Sequence, residues 1–267
     1  KTKTLYLHTS KIVGEYDARA TYGTIDRRWI ESFDKWMETE KKLKTNTRSI
    51  HLRNIRTVFN WGIDNEYTTN YPFRKNTIKK EETKKKALSI DTVRKLLAYV
   101  PHKDCSSHII YRDIFILMIY LRGINISDLM ELRHEDVREG RIEYRRNKTG
   151  ILYSIKIEPE AREILNKYKG KEYLLNLTEK HKYFGTAINR MLKKIGHVEV
   201  VGKAGKHKIT PLLPSDVSSN SARHTWATLA IEADMPKEIV SLGMGHVIGS
   251  KPTEIYIDRK QPKKVDE

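Results

Sequence analysis

Between residues 24 and 42 the chain reads TIDRRWIESFDKWMETEKK, with Trp29, Ile30, Phe33, Trp36 and Met37 at helical spacing and charges between them. That periodicity predicts an amphipathic helix. A second run, TRSIHLRNIRTVFNWGIDNEY (47–67), repeats the pattern with Ile50, Ile55, Val58, Phe59 and Ile63. Together they predict a small helical domain over residues 1–73, whose Arg and Lys side chains either grip phosphates or are simply solvated. The periodicity then stops. RKNTIKKEETKKK (74–86) has seven basic and two acidic residues and almost nothing apolar. It reads as an interdomain linker, either laid along a polyanion or left as a loose tether.

Helical spacing resumes in ALSIDTVRKLLAYV (87–100), with Ser89 or Asp91 as the N-cap. YRDIFILMIYL (111–121) is apolar enough for a buried helix, and a further helix is expected from about residue 122. RIEYRRNKTGILYSIKI (141–157) alternates in two short runs around NKTG, the pattern of a hairpin. Helices are expected again at 159–169 and 183–196, whereas VGKAGKHKITPLLPSD (201–216), rich in turn residues and charge, reads as a loop. The fold class expected is mainly α with a small β-hairpin or sheet, in two domains: residues 1–73, a linker over 74–86, and a second domain over 87–267.

Charge narrows the function. Fifty-one Lys and Arg against 34 Asp and Glu leave +17 on 267 residues. Such an excess implies a polyanionic partner, nucleic acid first; the alternative is a basic protein whose lysines only keep it in solution. The single cysteine, Cys105, excludes an intramolecular disulfide and a Cys-cluster zinc site, and fits a reducing cytosol. No apolar run approaches the roughly 20 residues of a membrane span and no signal peptide opens the sequence, so no membrane partner is expected. The chain starts without Met and stops at KKVDE, so either end could be a fragment boundary.

Residues 221–257, SARHTWATLAIEADMPKEIVSLGMGHVIGSKPTEIYI, gather Arg223, His224, His246 and Tyr256. Taken with Lys148 in the hairpin, their order and spacing resemble the signature of the tyrosine recombinases, the phage integrase family. ARHTWATLA, GMGH, and YPF before the basic linker are most similar to integrases of mobile elements in Bacteroides-type bacteria. The resemblance covers most of the chain. It implies a clamp of a helical core-binding domain and a mixed α/β catalytic domain around double-stranded DNA. It also implies a homo-tetramer that exchanges strands through a Holliday junction, protomers linked by swapped C-terminal segments, host or element-encoded DNA-bending accessory proteins, and a bacterial cytoplasmic location on DNA. Only eleven residues follow Tyr256, so the swapped segment is expected to be short or cut away.

The chemistry gives each residue a reason. A nucleophile that stays bonded to phosphate keeps the bond energy for religation, and the phenol of Tyr256 can do so. A phenol is weakly acidic, with a pKa of roughly 10, so its attack needs the phosphate charge neutralised. The Arg223 fork can bind two non-bridging oxygens and hold the charge of the transition state. His246 is expected to donate to the phosphate or to assist proton transfer from Tyr256, and His224 to support its neighbours. Lys148 matches the family's flexible general acid for the leaving sugar oxygen. No cofactor is expected, because side-chain cations do the work metal ions do in nucleases. Read singly, Tyr256 is one of 14 tyrosines, Arg223 an ion-pair partner, His246 a structural histidine, Lys148 a solvated turn lysine, and Trp226 core.

Two positions depart from the family pattern. Where a first arginine is usual in G-[LI]-R-[IV]-S-[ED]-L, the chain has GINISDL, with Asn125 in that slot. Arg122, three residues earlier and so on the same face of a helix, or Arg146, two residues before Lys148, could supply the missing cation; otherwise the site works with one arginine. Three residues before Arg223 stands Asn220 in place of the usual histidine. An amide still donates a hydrogen bond but is neither acid nor base. The rival readings are a non-catalytic DNA-binding protein derived from an integrase and a type IB topoisomerase, which shares the phosphotyrosine chemistry.

Overall fold

The structure is a computed structural model that describes residues 2–74, 77–82, 86–177, 183–201 and 206–245. The chain divides into two compact units, residues 1–84 and 85–267. No helix among the described residues is long and apolar enough to cross a membrane.

The first unit is helical: α1 (Thr2–Tyr16), α2 (Arg27–Thr39) and α3 (Thr45–Asp64). Asp26 caps α2 by accepting from the Trp29 backbone N–H at 2.7 Å, satisfying one of the first-turn donors that a helix leaves unpaired. One face of α2, with Ile30, Phe33 and Met37 fully buried, meets Leu52, Ile55 and Phe59 of α3. Val58, which shares the periodicity, points outward and is 43% exposed. Arg48 is buried at this interface, with Nε 3.0 Å from Asp34 and Nη1 2.6 Å from Glu38, so its charge is neutralised in place.

The described part of the basic segment, 77–82, is not a loose tether. The amide of Asn46 donates to the Glu81 carbonyl at 2.9 Å and accepts from the Glu81 N–H at 3.1 Å, offering the donor and acceptor that a neighbouring strand would. Thr45 donates to the Glu81 carboxylate at 2.6 Å and Ser49 to the Lys79 carbonyl. Ile78 packs against the apolar core of the unit. Charge counting missed this because the attachment uses the backbone and the segment's one apolar side chain.

In the second unit the elements run α4 (Ile90–Leu97), α5 (His108–Tyr120), α6 (Ile126–Glu131), β1 (Val137–Arg138), β2 (Arg141–Arg145), β3 (Leu152–Lys156), α7 (Pro159–Lys167), α8 (Phe184–Leu192), β4 (Gly196–Val201), β5 (Lys206–Pro211), α9 (Asn220–Glu232) and α10 (Lys237–Gly243). Ser89, one of the two N-cap candidates, caps α4 by accepting from the Thr92 N–H. α5 is buried on every side from Asp113 to Ile119 and packs against α7, α8 and α9, as an all-round apolar helix must. Its one buried carboxylate, Asp113, accepts from Lys167 and from the Tyr168 hydroxyl, each at 2.7 Å. Burial and this carboxylate push the Tyr168 phenol well above its ordinary range.

β1, β2 and β3 form an antiparallel sheet in that order, with Tyr144 opposite Tyr153. Two expectations need correction. The stretch 201–216 is not all loop: β5 lies within it and pairs antiparallel with β4, Val198 opposite Ile209. The alternation was hidden because Lys206, His207 and Lys208 make one strand polar, and a strand's stability depends on its partner more than on its own composition. The helix expected from 122 begins at Ile126; residues 121–125 form the α5–α6 loop.

Replacing Asn46 by Ala should cost about 1 kcal/mol, the usual net worth of such a hydrogen bond, and release 77–82. Proteolysis after Lys79 or Lys80 should then be several-fold faster than in the native chain.

Candidate active site

The candidate site is assembled from the α5–α6 loop, the β2–β3 hairpin, the first turn of α9 and the turn after α10. Arg223 lies on α9 between buried neighbours Ala222 and Thr225 and is itself 8% exposed. It is buried because the α5–α6 loop lies directly against it. Gly123 has φ +70°, and a Cβ there would fall 2.3 Å from the Arg223 Cα, so both conformation and space require glycine. The guanidinium donates from Nη1 to the Gly123 carbonyl at 3.4 Å and from Nη2 to the Met244 carbonyl. Both described partners are neutral, so neither cancels the positive charge.

The Met244 carbonyl has a second donor, the Tyr153 hydroxyl at 2.6 Å. Its two lone pairs are thereby filled by Arg223 and by the hairpin. Gly245 follows with φ +65°, and a Cβ there would meet the Tyr153 oxygen at 2.2 Å. The turn leading into His246 is thus held between α9 and β3. His246 and Tyr256 lie outside the described residues.

Lys148 is exposed in the 147–149 turn at the hairpin tip. The turn is closed by the Arg146 carbonyl accepting from Gly150 N–H at 2.8 Å, and by Arg146 N–H donating to Ile151 at 2.9 Å. It is docked on α6, with the Asn147 N–H donating to Asp128 at 3.3 Å and the Asn147 amide to Glu131. Below it Tyr144 and Tyr153 stack with centroids 5.2 Å apart. Burial, reinforced by Tyr153 and Asp128, holds the Tyr144 phenol far above its ordinary pKa against the opposing pull of Arg223 and Arg146. It is therefore neutral at any working pH.

The substituted positions are also placed. Asn125 is the residue before α6; with its amide oxygen toward the guanidinium, the orientation that donor–acceptor complementarity favours, it accepts from Arg146 Nε at 3.1 Å and Nη2 at 2.7 Å, whereas the opposite orientation has its nitrogen donating to Asp128 at 3.4 Å. Arg122 is 9% exposed with a left-handed backbone, φ +53°. It lies outside any helix, so the argument that put it on one helical face with Asn125 does not hold. Asn220 begins α9, exposed, and its amide meets the His224 ring at 3.0 Å. Trp226, expected in the core, is half-buried against it. Sequence reasoning missed Tyr153 and Asp128. The available signal for Tyr153 was its inward register opposite Tyr144, since a buried phenol needs a polar partner.

A backbone-walled guanidinium beside a docked hairpin that carries a lysine is an arrangement that can receive a phosphate anion, as DNA strand transfer requires. Sequence comparison specifies the family. Residues 86–262 match the phage integrase family and residues 1–80 the phage integrase SAM-like domain; the chain belongs to the phage integrase family and is a site-specific tyrosine recombinase. Among solved structures it is similar to a lambda integrase dimer bound to a COC′ core site, at TM-score 0.71 and 18% identity over 98% of this chain and 90% of that one. A lambda integrase tetramer bound to a Holliday junction gives 0.69 and 18% over 98% and 73%. The Tn1549 transposon integrase in complex with transposon right end DNA gives 0.68 and 15% over 97% and 93%. At these identities the likeness is one of fold. No curated protein matches the chain significantly.

Tyr153→Phe should lower the unfolding free energy by about 1 kcal/mol. Gly245→Ala should cost more, because it combines a left-handed backbone with a steric clash. In denaturant titration, a Tyr153→Phe variant as stable as the native chain would show that the 244–245 turn is not seated on Tyr153.

Proposed function

We propose that the recombinase cuts and rejoins double-stranded DNA through a 3′-phosphotyrosyl intermediate, with Tyr256 as nucleophile. The Tyr256 oxygen attacks phosphorus, the bond from phosphorus to the 5′-oxygen breaks, and the phenol proton passes to His246. Lys148 gives a proton to the departing 5′-oxygen, and religation reverses each transfer. Arg223 neutralises the non-bridging oxygens. Asn220 contributes a hydrogen bond only, so proton transfer rests with His246 and Lys148. The step balances without a metal or organic cofactor.

The observation that carries this reading is the environment of Arg223, a buried guanidinium whose two described partners are neutral carbonyls. A preorganised, uncancelled charge in a water-poor site is what phosphate transfer needs. The exposed Lys148 at a docked tip supports its role as the proton donor. For the assembly, we propose a homo-tetramer on paired DNA sites, by analogy with the lambda integrase tetramer, with DNA-bending accessory proteins. ARHTWATLA, GMGH and YPF support a bacterial mobile element of the Bacteroides type, integrating, excising or inverting its DNA in the cytoplasm. Residues 1–73 and 87–267 would then be the core-binding and catalytic domains joined by 74–86.

A covalent trapping assay tests the chemistry. Nicked, labelled fragments from the DNA flanking the gene should give a slow, protease-sensitive band on a denaturing gel with the native chain. Tyr256→Phe should abolish the band and leave binding on a native gel within about threefold. Binding by both proteins with no covalent band for either would favour the non-catalytic DNA-binding reading. The band should survive excess chelator, and dependence on a divalent ion would overturn the metal-free step.

A further inference from the structure

The cation missing at the family's first-arginine position has, we infer, moved to the hairpin: Arg146 is the second phosphate-binding guanidinium, and Asn125 is the bracket that holds it. This rests on the recombinase reading above.

Both described partners of the Arg146 side chain lie along its Nε–Nη2 edge. Asn125 accepts from Nε and Nη2 at 3.1 and 2.7 Å, and Asp128 lies 3.8 Å from Nε. That leaves the Nη1 side of the fork for an anion, on a side chain 17% exposed. Asn125 is therefore more than a lost arginine. A neutral amide fixes the guanidinium without cancelling its charge, as a carboxylate in the same place would. Asp128, buried and 3.8 Å from Nε, forms an ion pair with Arg146 and offsets part of its charge, while its Oδ1 is engaged by the Asn147 N–H.

The placement converges on Arg223. The loop 121–125 offers its Gly123 carbonyl to Arg223 and its Asn125 amide to Arg146, two residues apart. The hairpin repeats the connection, because Tyr153 shares the Met244 carbonyl with Arg223 and stacks on Tyr144, two residues before Arg146. Both guanidiniums act on the Tyr144 phenol. Lys148 follows two residues after Arg146, so a single hairpin would deliver the second cation and the leaving-group proton.

Single-turnover cleavage of the flanking-DNA substrate by the full chain tests this. Arg146→Ala should slow cleavage more than tenfold, equivalent to about 1.4 kcal/mol in the barrier, with DNA affinity within threefold of native. Asn125→Ala should slow it less, and the double variant Asn125→Arg with Arg146→Ala should return to within about fivefold of native. On DNA whose scissile phosphate carries a methyl group in place of one non-bridging oxygen, the charge is gone. The Arg146→Ala defect should then shrink below threefold. A defect of equal size on both substrates would make Arg146 structural and overturn the inference, as would native-like cleavage by Arg146→Ala. If that variant melts early, Arg146→Met, which keeps the aliphatic stem, is put through the same comparison. A native chain that forms no covalent adduct would overturn the recombinase reading itself, and this inference with it.

Discussion

Arg223 and the two backbone carbonyls that receive it tie the second unit together. A guanidinium taken out of water is costly unless its donors are satisfied, and here Gly123 and Met244 satisfy them from two loops far apart in sequence. That demand sets the loops around it. Gly123 must come against the α9 backbone and Gly245 against Tyr153, each with a left-handed φ and no room for a side chain. The Met244–Gly245 turn therefore packs against the hairpin, and the hairpin against α6.

A comparison within the chain shows why the partners of this arginine matter. Arg48 in the first unit is just as buried, yet it faces Asp34 and Glu38 and its charge serves only to join α2 to α3. Arg223 instead leans on two carbonyls, and Arg146 on an amide and on the buried Asp128 carboxylate 3.8 Å away. Dipoles hold a cation in place while leaving its field available, whereas carboxylates use it up. With +17 on the chain, a cation held by dipoles alone keeps its field available to an anion.

The first unit uses its basic segment differently from what composition suggests. Residues 77–82 are held on α3 by the Asn46 amide and by Ile78. The lysines of that stretch thus project from an anchored backbone, which loses less entropy on meeting a polyanion than a free tether would.

The helices of the first unit, the buried α5, and the hairpin with Lys148 at its tip were legible in the sequence, because each is a local period of apolar residues closed by a cap or turn. The family was legible too from the order Arg223, His246, Tyr256, since spacing within a motif survives in one dimension, and the match over residues 86–262 bears the family out. What lay outside it was everything set by a distant partner. β5 owes its strand to pairing with β4, and the contact between Asn125 and Arg146 joins residues from a loop and a hairpin. Tyr153 meets Met244 across ninety-one positions. Arg122 illustrates the limit from the other side, where three-residue spacing implied a shared helical face and the chain instead turns through a left-handed loop. The sequence by itself determined the family to which the protein belongs, because that depends on residue types and order. Only the tertiary structure decided which neutral groups hold each cation, because hydrogen-bond partners are chosen by proximity in space.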